Sequence, residues 1–152
     1  MSLAASSILD GVLSHALASG LFARVNGHEP KSAPGSGLTA AVWVQTIKPY
    51  PGGSGLAATS GVVTLTVRLY SPMLAEPADA IDPEIMDAVD VLFTAYSGDF
   101  DLGGTVRNVD LEGATGSGLS AQAGYLNQDG KLMRIMDIVL PVIVSDLWTQ
   151  VA

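Results

Sequence analysis

The chain has 152 residues, seven Lys and Arg against fifteen Asp and Glu, a formal charge of −8 and no cysteine. This length fits one domain over residues 1–152. The acidic balance excludes a broad phosphate-gripping face, and the lack of cysteine excludes disulfides, thiolate metal sites, Fe–S clusters and Cys nucleophiles.

Residues 6 to 19 predict an amphipathic helix. Ile8, Leu9, Val12, Leu13, Ala16 and Leu17 fall on one face at a period of 3.6. Ser6 or Ser7 can cap its start, and Gly20 can end it. Residues 26 to 37 read as a loop by composition. Leu38 to Ile47 predict a strand, residues 49 to 61 a long flexible connection, and Val62 to Tyr70 a second strand. In that strand Val63, Leu65, Val67 and Leu69 alternate with Thr64, Thr66, Arg68 and Tyr70. The pair reads as an antiparallel hairpin with a long tip.

A second helix is predicted over 83–97. Asp82 serves as its N-cap, Pro83 as its first residue and Glu84 as a first-turn carboxylate. Ile81, Ile85, Val89, Leu92, Phe93 and Tyr96 recur at helical spacing, and Gly98 ends it. Residues 105–111, 119–126 and 131–140 predict strands. Asn127-Gln128-Asp129-Gly130 marks a hairpin between the last two, and Pro141 marks a strand end or an edge. The expected fold class is α+β, a mainly antiparallel sheet with two helices on one face.

Charged residues make up 14% of the chain, against about 25% in an ordinary soluble domain, and hydrophobic residues make up 48%. Part of the surface is therefore expected to be buried against other subunits. No stretch approaches the roughly 20 apolar residues of a membrane span. The first residues lack a basic stretch and carry Asp10 early, which argues against a secretory signal.

Catalytic motifs are weak or missing. Gly-Ser-Gly-Leu at 35, 53 and 116 matches a dinucleotide-type glycine spacing, but no copy opens a predicted helix. Asp99, Asp101, Gly104 and Asp110 fit positions 1, 3, 6 and 12 of a calcium loop. Gly103 at position 5 and Asp110 in place of a bidentate Glu weaken that reading. His15 and His28 have no metal-ligand spacing and read as surface residues. Ser54 and Ser117 read as turn residues with no base beside them. No catalytic residue, cofactor or metal is expected. Tyr50, Pro51 and Leu56 in the hairpin tip are candidate partner anchors, and Trp43 and Trp148 are candidate packing or interface residues.

Several short motifs carry a resemblance. They are Arg68-Leu69-Tyr70, Ile81-Asp82-Pro83 with its helix, Gly98-Asp99-Phe100-x-Leu102-Gly103-Gly104, and Arg107 with Val109-Asp110-Leu111. Gly124-Tyr125 follows, then Arg134-Ile135-Met136-Asp137-Ile138 leading to Leu140-Pro141-Val142. Over roughly residues 62 to 148 the chain resembles the tail terminator, or tail completion, proteins of long-tailed bacteriophages. The first 60 residues agree in layout only.

The resemblance implies a structural virion protein, not an enzyme. It implies a homohexameric ring at the head-proximal end of the tail, assembled in the host cytoplasm. The implied partners are other copies of the chain, the tail tube protein and the head connector. DNA would pass through the lumen without specific binding. A net charge of −8 would let it slide, with Asp99, Asp101, Asp110 and Glu112 as candidate lumen carboxylates. Another ring of the same particle, such as a head–tail joining or tube protein, and a small binding module are the alternatives.

Overall fold

A computed structural model describes residues 3–30, 37–72 and 78–150. The elements in chain order are α1 (Ala5–Ser19), β1 (Arg24–Asn26), β2 (Thr39–Tyr50), β3 (Ala58–Pro72), α2 (Ile81–Gly98), β4 (Asn108–Val109), β5 (Ser120–Gln128) and β6 (Lys131–Thr149). The fold is α+β, with a curled, mostly antiparallel sheet in the order β1-β2-β3-β6-β4 and β5 also paired to β6.

In α1 the buried residues Ile8, Val12 and Ala16 are spaced by four, the signature of a single packed stripe. Gly20 closes the helix at φ 70°, donating its N–H to the Leu17 carbonyl, a position glycine takes without a Cβ penalty. Neither Ser6 nor Ser7 caps the other end; the helix starts at Ala5 after an uncapped Ala4. Packing of the stripe, not capping, fixes that end.

The second helix starts two residues earlier than its sequence signals indicate. A 3-10 turn at Ala78–Ala80 runs directly into it, so Asp82 lies in the first turn instead of capping it. Its carboxylate accepts from Arg134 Nε at 2.9 Å. Pro83 costs nothing there, because first-turn N–H groups have no partner within the helix. Ile81, Ile85, Ala88, Leu92 and Tyr96 form the buried face.

Both helices pack on one face of the sheet. Their apolar stripes share a core with Ala40 and Val42 of β2, with Val63, Leu65, Val67 and Leu69 of β3, and with Ile138, Leu140 and Val142 of β6. Period-two alternation sends the intervening residues to the other face. A smaller cluster of Ala41, Tyr70, Met133 and Ile135 forms there, flanked by Trp43 and Leu126.

The β2–β3 hairpin is longer and its tip tighter than the sequence predicts. Pairing runs out to Tyr50 opposite Ser60, with a bulge between Val44 and Thr46. Ser54 ties the tip: its hydroxyl donates to the Tyr50 carbonyl at 2.7 Å and accepts from the Ser60 N–H at 3.1 Å. The predicted strand at 105–111 shrinks to Asn108–Val109. The Asp101 carbonyl accepts from the N–H groups of Gly104, Thr105 and Val106 and coils the preceding segment. β1, of which only Asn26 falls in a predicted element, the 26–37 loop, pairs parallel to β2 through Arg24–Asn26. The rest of that predicted loop, residues 31–36 with the first Gly-Ser-Gly-Leu glycine, lies outside the described residues.

β6 runs 19 residues and is the hub of the sheet. On one side it pairs with β3. On the other it pairs first with β5, up to Ser120 opposite Val139, and then with β4, from Val109 opposite Val142. Pro141 is interior to β6, not at a strand end or edge. The Pro141 carbonyl accepts from the Asp110 N–H at 2.9 Å, so the missing N–H of Pro141 falls on that same flank, in the gap between β5 and β4. Antiparallel pairing leaves the β3 side intact, because residue 141 does not bond in that direction.

Candidate interaction surfaces

The proposed partner anchors converge at one end of the sheet. Tyr50 and Pro51 form the β2–β3 tip, and Leu56 in the same turn is 98% exposed. Trp148 pairs opposite Thr59 near the end of β6. It crosses Gly61, where a Cβ would lie 2.9 Å from its ring and 2.8 Å from Leu147, so glycine makes room for it. Gln150 closes the arrangement through its N–H to the Ala57 carbonyl and its side chain to Thr59. Residues 44–49 of β2 are exposed on both faces, including Ile47. The result is an exposed apolar end made by β2, the tip and Trp148, built by residues 92 to 98 positions apart in sequence (Leu56 and Tyr50 to Trp148).

The candidate lumen carboxylates do not behave as a set. Asp110 is corrected: it is 3% exposed and faces inward. Burial would raise its pKa, but hydrogen bonds from Thr115, Ala114 and Gly113 outweigh burial and hold the carboxyl below its ordinary range. It is a loop-fixing group. Asp99 and Asp101 are half-buried and Glu112 is exposed. Asp99 accepts from the Gly103 N–H at 3.0 Å and pairs with His15 Nε2 at 2.8 Å. The Gly103 bond and then His15 lower its pKa. Asp99 and Asp110 thus serve different neighbours instead of one calcium loop, and among the described residues no group of three or more His, Asp or Glu could hold a metal ion. The exposed carboxylates concentrate instead on the outer face of α2, at Asp82, Glu84, Asp87 and Asp90.

His15 is not a free surface residue. It links α1 to the turn after α2 and sits edge-on to Tyr96, with ring centroids 5.8 Å apart. Tyr96 is fully buried, its hydroxyl has no hydrogen-bond partner among the described residues, and burial pushes its pKa up. An unpaired buried hydroxyl costs about 1–3 kcal/mol of desolvation. Tyr96→Phe is therefore expected to keep or raise stability, by up to about 1 kcal/mol in urea denaturation. A clear loss would reveal a partner for the hydroxyl.

A further surface carries no motif in the sequence. On the helix-free face the sheet curls into an open groove of about 760 Å³, lined by Glu29, Trp43, Thr66, Arg68, Gln122 and Asp137 among others. Arg68 is its centre. It donates from Nε to Asp137 Oδ1 at 2.5 Å and from a terminal nitrogen to Oδ2 at 3.2 Å. Its guanidinium lies 5.3 Å from the Trp43 ring and 6.0 Å from the Tyr70 ring. Thr66 donates to Gln45 alongside. The strand register brings the row together, since Ala41, Arg68, Asp137 and Gln122 are successive cross-strand partners. Opposite charges on facing alternate positions of β3 and β6 were the available signal, but reading it requires knowing the register.

No protein-family model matches the chain, and a search of curated proteins finds no significant match. No helix among the described residues is long and apolar enough to cross a membrane.

Proposed function

We propose that the chain is a ring-forming subunit that caps the tail tube of a long-tailed bacteriophage, stops its polymerisation and offers a docking face to the head connector. The observation that carries this reading is the uncovered apolar end formed by Ile47, Tyr50, Pro51, Leu56 and Trp148. A free monomer gains nothing by displaying a strand exposed on both faces, as β2 is over residues 44–49, with so few charges, whereas a subunit packed against a neighbour does. The motifs of residues 62–148 supply the choice of assembly. The capping action needs two unlike ring faces, one that binds the growing tube and one that does not repeat the tube's own surface. No side chain is required to do chemistry. The exposed carboxylates on α2 would disfavour adhesion of DNA wherever they face it.

Added to tail tube protein during polymerisation, the pure chain is expected to shorten the tubes in proportion to its amount, read by negative-stain length distributions. Unchanged lengths at saturation would reject the cap. Long stacks from the chain alone would make it a tube protein. The Arg68 groove favours a second reading, a small binding module; a saturable, ligand-dependent rise in melting temperature would support it.

A further inference from the structure

We infer that the outer edge of β5 is a docking strand for a second copy of this chain, which offers the outer edge of its β2. Among the described residues β5 pairs with β6 alone, so its other flank carries backbone groups with no partner strand there. The two-residue turn Asp129-Gly130, with both residues at positive φ, makes Gln128 and Lys131 a hydrogen-bonded pair. Counting back by twos, Gln122, Gly124 and Leu126 bond inward to β6. Ala121, Ala123, Tyr125 and Asn127 present their N–H and C=O groups outward.

Monomeric proteins blunt such an edge with lysine, proline, a bulge or a covering element. Among the described residues β5 shows none of these: its sequence, SAQAGYLNQ, contains no charged residue and no proline, and its pairing with β6 has no bulge. No residue of β5 is classed as buried, and Tyr125 is 62% exposed. What fits a bare row of backbone donors and acceptors is an extended polypeptide.

The chain itself supplies a complementary edge. β1 covers β2 only from Thr39 to Ala41. From Val42 to Ile47 the outer flank of β2 has no partner strand among the described residues, its side chains from Val44 on are exposed, and the bulge between Val44 and Thr46 divides the stretch into two short pairable pieces. Lys48 and Pro49 then end the pairable stretch. The strand itself carries no carboxylate, since none occurs between Glu29 and Glu76, and Glu29 lines the groove beside Trp43, Val44 and Gln45 on this edge. β5-to-β5 pairing about a twofold would leave every β2 edge bare. β5-to-β2 pairing covers both edges with one contact, and it is head-to-tail, so repetition closes a ring or grows a filament. The closure into a ring rests on the tail-cap reading; the edge pairing itself does not.

Native mass spectrometry over a concentration series and hydrogen exchange of the full chain test the pairing. Wild type is expected to assemble, with amides of Ala121, Ala123, Tyr125 and Asn127 slowed at least about tenfold on assembly. Ala123→Pro removes an outward N–H and no β5–β6 bond, so it should weaken association at least about tenfold while the melting temperature stays near wild type. Ala123→Ser keeps the N–H and should assemble normally. Assembly with those four amides unprotected would overturn the edge and leave the capping ring intact. A wild-type chain that stays monomeric at every concentration would overturn self-pairing, and tube-length control would then be judged separately. Should Ala123→Pro not fold, the wild-type exchange pattern decides alone.

Discussion

Asp110→Asn is expected to destabilise the fold by about 3 kcal/mol, roughly 6–12 °C in melting temperature for a domain of this size. One carboxylate oxygen accepts from the N–H groups of Gly113 and Ala114 at 3.0 and 2.9 Å. The other accepts from the Thr115 N–H at 2.8 Å and its hydroxyl at 2.5 Å. Asparagine keeps one acceptor and turns an NH2 toward donors on the other side, so at least one pair of bonds is lost and a buried group is left unpaired. The loop that Asp110 holds also closes on itself: at Gly118 a Cβ would lie 2.7 Å from both the Gly113 nitrogen and the Leu111 carbonyl. The pH dependence has a defined sign. The folded carboxyl titrates below its unfolded value of about 3.9, so its contribution is complete above that value and fades as pH falls through the folded pKa. Urea melts at neutral pH should separate the two proteins clearly, and melts in strong acid should bring them together. Equal stability at neutral pH would mean the loop does not depend on this carboxylate.

Arg68→Ala is expected to cost about 2 kcal/mol, because the loss strands Asp137 as well as removing a bidentate pair and the packing over Trp43. Both side chains are only partly buried, 20% and 32% exposed, which places the cost below that of a fully buried pair. Asp137→Asn should cost less, since the amide oxygen can still accept. A double-mutant cycle of Arg68→Ala with Asp137→Ala should give a coupling of about 1–2 kcal/mol. A coupling near zero would mean that the pair positions the groove without stabilising it.

The sequence was most readable where a periodic pattern met local chemistry. α2, the alternation in β3 and the Asp129-Gly130 hairpin each rest on residues within one or two turns of the chain. What it concealed depended on distant partners. A glycine-rich stretch, PYPGGSG, looks loose until Ser54 is seen bridging Tyr50 and Ser60. Asp110 looks like a surface acid until the loop at 113–115 folds over it. Tyr50, Pro51 and Leu56 group together as the hairpin tip in the sequence; the β3–β6 register adds Trp148 to that surface. β1 escaped notice because three residues of parallel pairing carry no pattern, and the groove because Arg68 and Asp137 are 69 positions apart.

Pro141 leaves a seam in one flank of β6. Residue 141 makes no hydrogen bond to β5, so β5 and β4 meet β6 on either side of a gap that the Leu119 N–H bridges to the Asp110 carbonyl at 2.9 Å. A sheet so divided can yield in portions. β5 can open from β6 while β6 stays paired to β3 from Met133 onward, at a free energy below that of global unfolding. The strand offered to a neighbour can thereby adjust while the β3–β6 pairing that holds the core stays closed.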